Sequence, residues 1–143
     1  MVGLANVVPW GAYKNTTIGF LGDLPAPERV SDLYQRLEDQ IGEGNLIQAR
    51  TTAPIPAHAL CRRVAICSGF GVSMIEDAVA AGADTLVTGE TSHQWYQMVA
   101  ERDLNVIYAG HYATETVGVK ALARHLQARF DLATTFIDLP TGL

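Results

Sequence analysis

Three side chains that can do acid–base or metal chemistry follow short apolar runs typical of buried strands. Glu90 and His93 come shortly after the run that ends at Thr88, and His111 follows the run that ends at Ala109. In open parallel sheets, ligands bind outside the carboxyl ends of the strands. We therefore expect Glu90, His93 and His111 to lie on one rim of a sheet, where they can bind a metal or a substrate.

The segment G-H-Y-A-T-E places His111 and Glu115 four residues apart. If a helix begins near Tyr112, both side chains lie on one face of it, one turn apart. The helix start disfavours an imidazolium and favours a carboxylate, so we expect His111 to be neutral and Glu115 to be ionised. Such a pair suits a divalent first-row metal. The residues alone favour a plain helix start, in which the glutamate stabilises the first turn and the histidine bonds to backbone, because the pair supplies only two ligands.

Glu90 and His93 have two interpretations that the sequence leaves open. They can orient a metal ligand or contact a substrate, or they can be ordinary helix caps. The turn S-G-F-G over residues 68–71 lacks the third glycine of a dinucleotide fingerprint, which favours a tight turn over a phosphate site. No serine of these segments lies in a G-x-S-x-G motif, so acyl transfer is not expected. His58 and His125 are assigned to solvent or packing.

The composition limits the classes of protein to which the chain can belong. It has 143 residues, of which 48% are hydrophobic and 17% charged, with a net charge of −5. This content can bury a core, which excludes intrinsic disorder. The acidic balance argues against nucleic acid or an anionic membrane as the main partner. The charged fraction lies below the roughly 25% of average domains, which indicates that some apolar surface is buried against a partner.

Neither a membrane helix nor a disulfide framework is predicted. No segment approaches about 18 uninterrupted apolar residues, the length that a membrane helix needs. The apolar start of the chain lacks the leading positive charge of a secretory signal. Cys61 and Cys67 are too few for a disulfide framework. We expect two reduced, buried thiols in a cytoplasmic protein.

Hydrophobic periodicity predicts a single α/β domain over residues 1–143, with a looser front segment (1–62) and a βαβαβαβ core (63–143). In the core, short apolar runs alternate with helical patterns, which is typical of parallel strands joined by crossover helices. We therefore predict a mainly parallel sheet with helices packed on it. The sequence leaves open whether the front strands join that sheet.

The same periodicity predicts the individual elements. The core strands are expected over residues 64–67, 85–88, 106–109 and 133–137. The core helices are expected over residues 73–81, 92–102 and 114–129, with Ser73–Glu76 and Thr91–Gln94 as capping pairs. The last helix places Val119, Leu122, Leu126 and Phe130 on one apolar face. The front segment is expected to hold a strand around Ile18, a helix with its apolar face from Val30 to Ile41, a strand over 45–50 and a Pro-rich connection over 51–58.

Four segments resemble the dinuclear-metal-centre family, whose members are also called NIF-three-like proteins or homologues of the type-two GTP cyclohydrolase I. The segments are V-A-I-C-S-G-F-G, G-A-D-T-L-V-T-G-E, A-G-H-Y-A-T-E and T-F-I-D-L-P, in that order. A-G-H-Y-A-T-E is highly specific, and the others support it through their order and spacing. The resemblance covers residues 63–143, and it extends more weakly to the front segment through I-G-F-L-G-D-L-P.

The resemblance implies a NIF-three-like α/β fold and a toroidal hexamer with two divalent metal ions per subunit. In the G-H-x-x-T-E pattern the histidine and the glutamate are metal ligands, and these positions are His111 and Glu115 here. The expected cofactor is zinc, manganese or iron. Family members are about twice as long, and their first half supplies a His-His-Pro segment and an aspartate that complete the site. This chain resembles the C-terminal half and contains no His-His pair.

Two functions are consistent with these features. The first is a metal-dependent hydrolase similar to GTP cyclohydrolase, with His111 and Glu115 as ligands and with Glu90 and His93 as orienting or substrate-contacting groups. The second is a non-catalytic oligomerisation or regulatory domain that has lost the metal chemistry, which the missing histidines and the low charged fraction favour. The expected partners are further copies of the chain or a complementary N-terminal half.

Overall fold

Six strands form one mixed sheet in the described part of the chain. The computed structural model describes residues 2–41, 50–51 and 58–140. The strands are β1 (Ala5–Tyr13), β2 (Thr16–Arg29), β3 (Arg50–Thr51), β4 (Leu60–Cys67), β5 (Thr85–Thr88) and β6 (Asn105–Tyr108). They lie side by side in the order β1-β2-β4-β5-β6-β3.

Helices pack on both faces of this sheet. They are α1 (Val30–Ile41), α2 (Ile75–Ala80), α3 (Tyr96–Ala100) and α4 (His111–Phe130). Short 3₁₀ turns precede α2 and α3, at Gly71–Met74 and His93–Trp95. None of the described helices is both long enough and apolar enough to cross a membrane.

The predicted parallel strands lie at the centre of the sheet. β4 pairs in parallel with β5, and β5 pairs in parallel with β6. The strands that contain Ile66, Val87 and Ile107 therefore share one direction, as expected for right-handed crossovers. The other pairs, β1 with β2, β2 with β4 and β3 with β6, are antiparallel. The α/β class is confirmed, and the sheet as a whole is mixed because front strands join it on both sides.

Two apolar layers hold the helices on the sheet. Adjacent residues of a strand face opposite sides, so Leu86 contributes to one layer and Val87 to the other. Leu86 packs in the layer of α2 and α3, and Val87 packs in the layer of α1 and α4. Both faces of the central strands are covered, which explains why these strands are short apolar runs. The buried residues of α1 match the predicted face: Val30, Leu33, Leu37 and Ile41.

The front segment is more regular than its periodicity indicates. The strand predicted around Ile18 extends over Thr16–Arg29 and forms a hairpin with β1, which the sequence pattern does not reveal. A register shift interrupts β1 between Ala5 and Val8 and includes Asn6 with φ 51°. Such a bulge breaks the alternation of apolar residues by which a strand is recognised. The predictions over residues 45–49 and 52–57 lie outside the described residues.

The strand predicted over residues 133–137 is wrong. Residues 131–140 form no regular secondary structure. The position beside β6 is taken by β3, and Asp131 ends α4 in the left-handed conformation with φ 52°. An apolar, β-branched run predicts extended backbone, but it does not provide a partner strand.

The two predicted capping pairs are also wrong. No side-chain hydrogen bond caps the 3₁₀ turns that begin at Gly71 and His93. The first turn begins before Ser73 and the second begins two residues after Thr91, so neither hydroxyl stands at the helix start as predicted. The third core helix begins at His111, earlier than its apolar face indicates.

Candidate metal centre

Backbone hydrogen bonds hold the three strand-end segments together. The Gly69 carbonyl accepts hydrogen bonds from the N–H groups of Gly89 and Glu90, at 2.9 and 3.1 Å. The N–H of Gly110 donates to the Gly89 carbonyl at 2.9 Å. The segments that follow β4, β5 and β6 are therefore in direct contact, and this contact places Glu90 against the start of α4.

His111 has a carboxylate at each nitrogen of its ring. Nδ1 lies 2.8 Å from Oε1 of Glu90, and Nε2 lies 3.2 Å from Oε1 of Glu115. Because α4 begins at His111, Glu115 lies one turn further along the same face of the helix. The structure thus brings together Glu90, His111 and Glu115, three of the four side chains that the sequence singles out.

The neighbouring carboxylates raise the pKa of His111 above its ordinary value of 6.5. The hydrogen bond to Glu90 is the largest cause, partial burial opposes it, and the charges of Glu90 and Glu115 add to it. This upward shift opposes the effect of the helix start, from which the sequence alone predicts a neutral His111.

Gly69 leaves space beside both candidate ligands. It has φ 65°, and a Cβ at this position would lie 2.8 Å from Oε1 of Glu115 and 3.2 Å from Nε2 of His111. Glycine suits the position because it adopts the left-handed conformation without strain. A larger residue would also fill the space that the two donor atoms face.

These donor atoms fit a divalent metal ion. Ligand distances of about 2.0–2.2 Å and a tetrahedral angle place two donors about 3.3–3.6 Å apart, slightly more than the 3.2 Å between Nε2 of His111 and Oε1 of Glu115. Glu90 contacts Nδ1, and in metal sites such a contact fixes the ring and its tautomer. Among the described residues, no group of three or more His, Cys, Asp or Glu side chains could hold a metal ion. This part of the chain therefore offers two candidate ligands, His111 and Glu115, and one carboxylate, Glu90, that could orient the imidazole.

The S-G-F-G turn uses its own N–H groups inside the protein. The N–H of Gly69 donates to Oγ1 of Thr114 at 3.0 Å, and the N–H of Gly71 donates to Oγ1 of Thr88 at 2.8 Å. N–H groups that already have partners are not available to a phosphate. The two glycine N–H groups therefore serve a tight connection, as the sequence favours.

Thr88 and Thr114 build the rim, although sequence reasoning does not single them out. Oγ1 of the buried Thr88 also donates to the Gly69 carbonyl at 3.1 Å. Oγ1 of Thr114 also donates to the Gly110 carbonyl at 2.9 Å. A hydroxyl accepts one hydrogen bond while it donates another, so each threonine links two strand-end segments. In the sequence, Thr88 could be recognised as the threonine that ends the buried apolar strand T-L-V-T.

His93 lies apart from this cluster. It is exposed at the start of the 3₁₀ turn after β5. No hydrogen bond or ion pair joins it to Glu90 or His111 in the described part of the chain. His58 and His125 are exposed, in agreement with their assignment to solvent.

The two cysteines are buried, free thiols. Burial is the main reason that the pKa of Cys61 rises to about 11, and burial also raises the pKa of Cys67. Because the thiolate is the form that reacts and binds metals, both cysteines have a packing role.

Comparison with known proteins connects this geometry with one family. A sequence model of the Duf34/NIF3 family, described as NGG1p interacting factor 3, matches residues 1–141. The match includes the front segment, for which the motifs alone show only a weak resemblance.

Curated relatives match the whole chain with part of their own length. A Deinococcus radiodurans protein named GTP cyclohydrolase 1 type 2 homolog is 36% identical over 142 residues, which are 99% of this chain and 52% of that protein. A Pyrococcus abyssi protein of the same name is 37% identical over 143 residues, which are 100% of this chain and 55% of that protein. The chain spans about half the length of these curated relatives.

Solved structures share the fold. The structure of the protein ybgI superposes with a TM-score of 0.78 at 31% identity, covering 99% of this chain and 53% of that one. A Thermus thermophilus protein superposes with a TM-score of 0.76 at 36% identity, covering 99% and 52%. Both the NIF-three-like fold and the resemblance are thereby confirmed, and the chain belongs to the Duf34/NIF3 family.

Proposed function

We propose that this chain is a divalent-metal-binding protein in which His111 and Glu115 are ligands. The observation that supports the proposal is the pair of donor atoms, Nε2 of His111 and Oε1 of Glu115, 3.2 Å apart beside the space that Gly69 leaves. An imidazole and a carboxylate together suit zinc, manganese or iron. Two protein ligands leave coordination positions open, so binding by this chain alone should be weak.

Glu90 has a distinct role in this proposal. It accepts the Nδ1–H of His111, which directs the Nε2 lone pair towards Glu115 and a bound cation. Because metal binds the neutral imidazole, the proton on Nε2 must leave first, and metal affinity should rise with pH. His93, which is exposed at the start of the 3₁₀ turn after β5, is a candidate substrate contact.

Hydrolysis is the reaction class that we propose. A bound divalent ion lowers the pKa of a water ligand and makes it a nucleophile near neutral pH. The relatives carry the name GTP cyclohydrolase 1 type 2 homolog, so a purine nucleotide is the first substrate class to test. His111 and Glu115 would hold the ion, and Glu90 would hold the imidazole in place.

We infer homo-oligomerisation, or association with a complementary N-terminal half, as the source of the missing ligands. Large apolar side chains are exposed in both the β1–β2 hairpin and α4, among them Phe20 at 54% and Phe130 at 59%. The family resemblance implies a hexamer. A cytoplasmic location suits the two buried free thiols.

The alternative proposal is a non-catalytic oligomerisation or regulatory domain. It is supported by the same exposed apolar side chains and by the absence, among the described residues, of a metal-binding group of three or more side chains. In that case the His111–Glu115 pair is a remnant of the site, and the chain contributes only an assembly surface.

Calorimetric titration of zinc and of manganese into the chain distinguishes these proposals. We expect weak binding near one ion per chain that strengthens as the pH rises. H111A should abolish binding, and E115Q should weaken it about tenfold or more. H125A is the matched control, because His125 is an exposed histidine of the same helix, and it should bind metal as the unchanged chain does.

Two outcomes would contradict the metal-ligand assignment. Tight binding that survives H111A would show that the ligands lie elsewhere in the chain. No binding by the unchanged chain at any pH would favour the non-catalytic domain. Hydrolysis of GTP should be assayed with the metal added, and it should fall with the metal affinity in H111A.

A further inference from the structure

An aromatic pair lies at the same edge of the sheet as His111 and Glu115. Phe70 follows β4 directly after Gly69, and Trp95 ends the 3₁₀ turn that follows β5. The centroids of the two rings lie 6.5 Å apart at an interplanar angle of 68°, which is the edge-to-face geometry that aromatic pairs prefer. The pair thus stands at the carboxyl ends of two parallel strands, where ligands of open parallel sheets bind.

Phe70 is close to the candidate metal ligands. A Cβ on Gly69 would lie 2.8 Å from Oε1 of Glu115. Adding the Cα–Cβ bond and the distance of about 3.8 Å between consecutive Cα atoms puts the Cα of Phe70 within about 8 Å of that oxygen. A nucleotide in contact with Phe70 can therefore also reach an ion held by His111 and Glu115.

The aromatic pair and the candidate ligands belong to opposite layers of the protein. α4, which carries His111 and Glu115, packs in one apolar layer, whereas Trp95 packs against the other layer, that of α2 and α3. The sheet edge between them is flanked by metal-binding donor atoms on one side and by aromatic rings on the other. A substrate with a planar ring and a group that a metal ion binds would contact both sides.

The ring of Phe70 is exposed and at the same time held in place. The residue is 39% exposed, and it contacts Trp95, which is itself packed against the core. This contact restricts the orientation of the Phe70 ring, so an aromatic ligand meets a surface that is already ordered. Nucleobases stack readily on such a surface, because every base has an aromatic face.

Two polar atoms beside this pair have no hydrogen-bond partner among the described residues. They are Nε1 of Trp95 and Oγ of Ser92, and both atoms are buried. Unpaired buried polar atoms are uncommon in folded proteins, and each calls for an explanation. A heteroaromatic ring has donors and acceptors along its edge, so it would supply partners to both atoms if the turn shifts as the ring binds. An aliphatic ligand would leave them unpaired.

We propose that Phe70 and Trp95 form a stacking platform for a planar heteroaromatic ring of the substrate, of the kind found in a nucleobase. The inference rests on the proposed function and names the residues that recognise this part of the substrate. Phe70 supplies the exposed ring on which the ligand stacks. Trp95 is a positioning residue that holds Phe70. Because the platform and the metal pair contact different parts of the substrate, ring binding should not require the metal ion.

Binding of guanosine to the intact chain in the presence of EDTA tests the platform apart from the metal. Guanosine should quench the tryptophan fluorescence with saturation, whereas ribose phosphate, which has no aromatic ring, should not. Of the two tryptophans, Trp10 is buried in the core, so the quench reports mainly on Trp95. NMR should show the ring protons of Phe70 shifting upfield as guanosine is added.

Variants of Phe70 separate stacking from apolar contact. F70L keeps apolar bulk but removes the aromatic face, and it should weaken guanosine binding about fivefold or more. F70Y keeps the aromatic face and should bind guanosine as the unchanged chain does. The matched control is F130L, because Phe130 is an exposed phenylalanine at the far end of α4. Circular dichroism checks that the variants fold.

Each result supports or overturns the platform. Guanosine that does not bind the unchanged chain, that binds F70L equally well, or that is lost equally in F130L would overturn it. If F70L does not fold, Phe70 ring protons that stay unshifted in the unchanged chain would do so. Zinc titration of the unchanged chain is read separately. Zinc binding without guanosine binding contradicts only the platform, and guanosine binding without zinc binding contradicts only the metal-ligand assignment.

Discussion

The start and the outer face of α4 differ in how many of their side chains have partners within the chain. At its start, hydroxyl and backbone groups bond across three strand ends, and His111 has a carboxylate at each nitrogen. On its outer face, Val119 and Leu122 are more than half exposed. The hydrogen-bonding groups of the rim therefore have partners within the chain. The apolar side chains of the outer face remain exposed.

The glycines of the two regions show the same contrast. A Cβ on Gly89 would lie 2.7 Å from the Gly69 carbonyl oxygen and 2.8 Å from the Cα of His111. A Cβ on Gly118, in the middle of α4, has nothing within 4 Å. Backbone approaches backbone at the rim, whereas the outer helix face has free space.

We predict the largest effect for G89A. The added methyl group collides with backbone that cannot move without breaking the hydrogen bonds of the rim, so the free energy of unfolding should fall by roughly 3 kcal/mol. G118A is the control, and it should stabilise the chain by up to about 1 kcal/mol because alanine favours a helix. Denaturant unfolding measures both. Equal effects would show that the rim is not more tightly packed than the outer face.

A smaller loss is expected for T88V. Valine keeps the shape of the side chain but removes the oxygen that accepts from the Gly71 N–H, and this buried donor is left unpaired. The expected decrease in the free energy of unfolding is about 2 kcal/mol. The matched control is T116V, since Thr116 is buried on α4 and donates only to the Ala113 carbonyl of its own helix. It should cost less than about 1 kcal/mol, and a cost equal to that of T88V would contradict the bridging role of Thr88.

The smallest effect concerns the charge of His111. Its pKa is raised in the folded chain, so the folded state binds the proton more tightly than the unfolded state does. The resulting stabilisation is complete below the ordinary pKa of 6.5 and is lost as pH rises through the raised value. Because the side chain is about one-third exposed, the change should stay below about 1 kcal/mol.

The variant E90Q tests whether Glu90 is the main cause of the raised pKa of His111. It removes the main cause of the raised pKa, so the free energy of unfolding should depend less on pH as the pH rises above the ordinary pKa of 6.5. Titration of His111 by NMR should show a lower pKa in E90Q than in the unchanged chain. A pKa that does not fall would mean that Glu115 or the surrounding backbone sets the charge state instead.

The sequence by itself determined the family, the α/β class and the parallel centre of the sheet. The family follows from the resemblance of four sequence segments, and the α/β class follows from the apolar periodicity that marks the central strands. The approach of His111 to Glu115 needs only a helix that begins nearby. The strand ends of a parallel sheet meet at one edge, so the position of Glu90 near His111 was also predictable before any contact was known.

Only the tertiary structure decided which strands pair and which carboxylates lie beside the His111 imidazole. The run over residues 133–137 has strand-like residues, yet β3 occupies the edge of β6 and leaves that run against α4. His111, which the sequence predicts to be neutral, lies beside two carboxylates. One of them belongs to Glu90, which is 21 residues away in sequence. Strand pairing and pKa values depend on contacts between distant segments, and periodicity along one chain contains no record of those contacts.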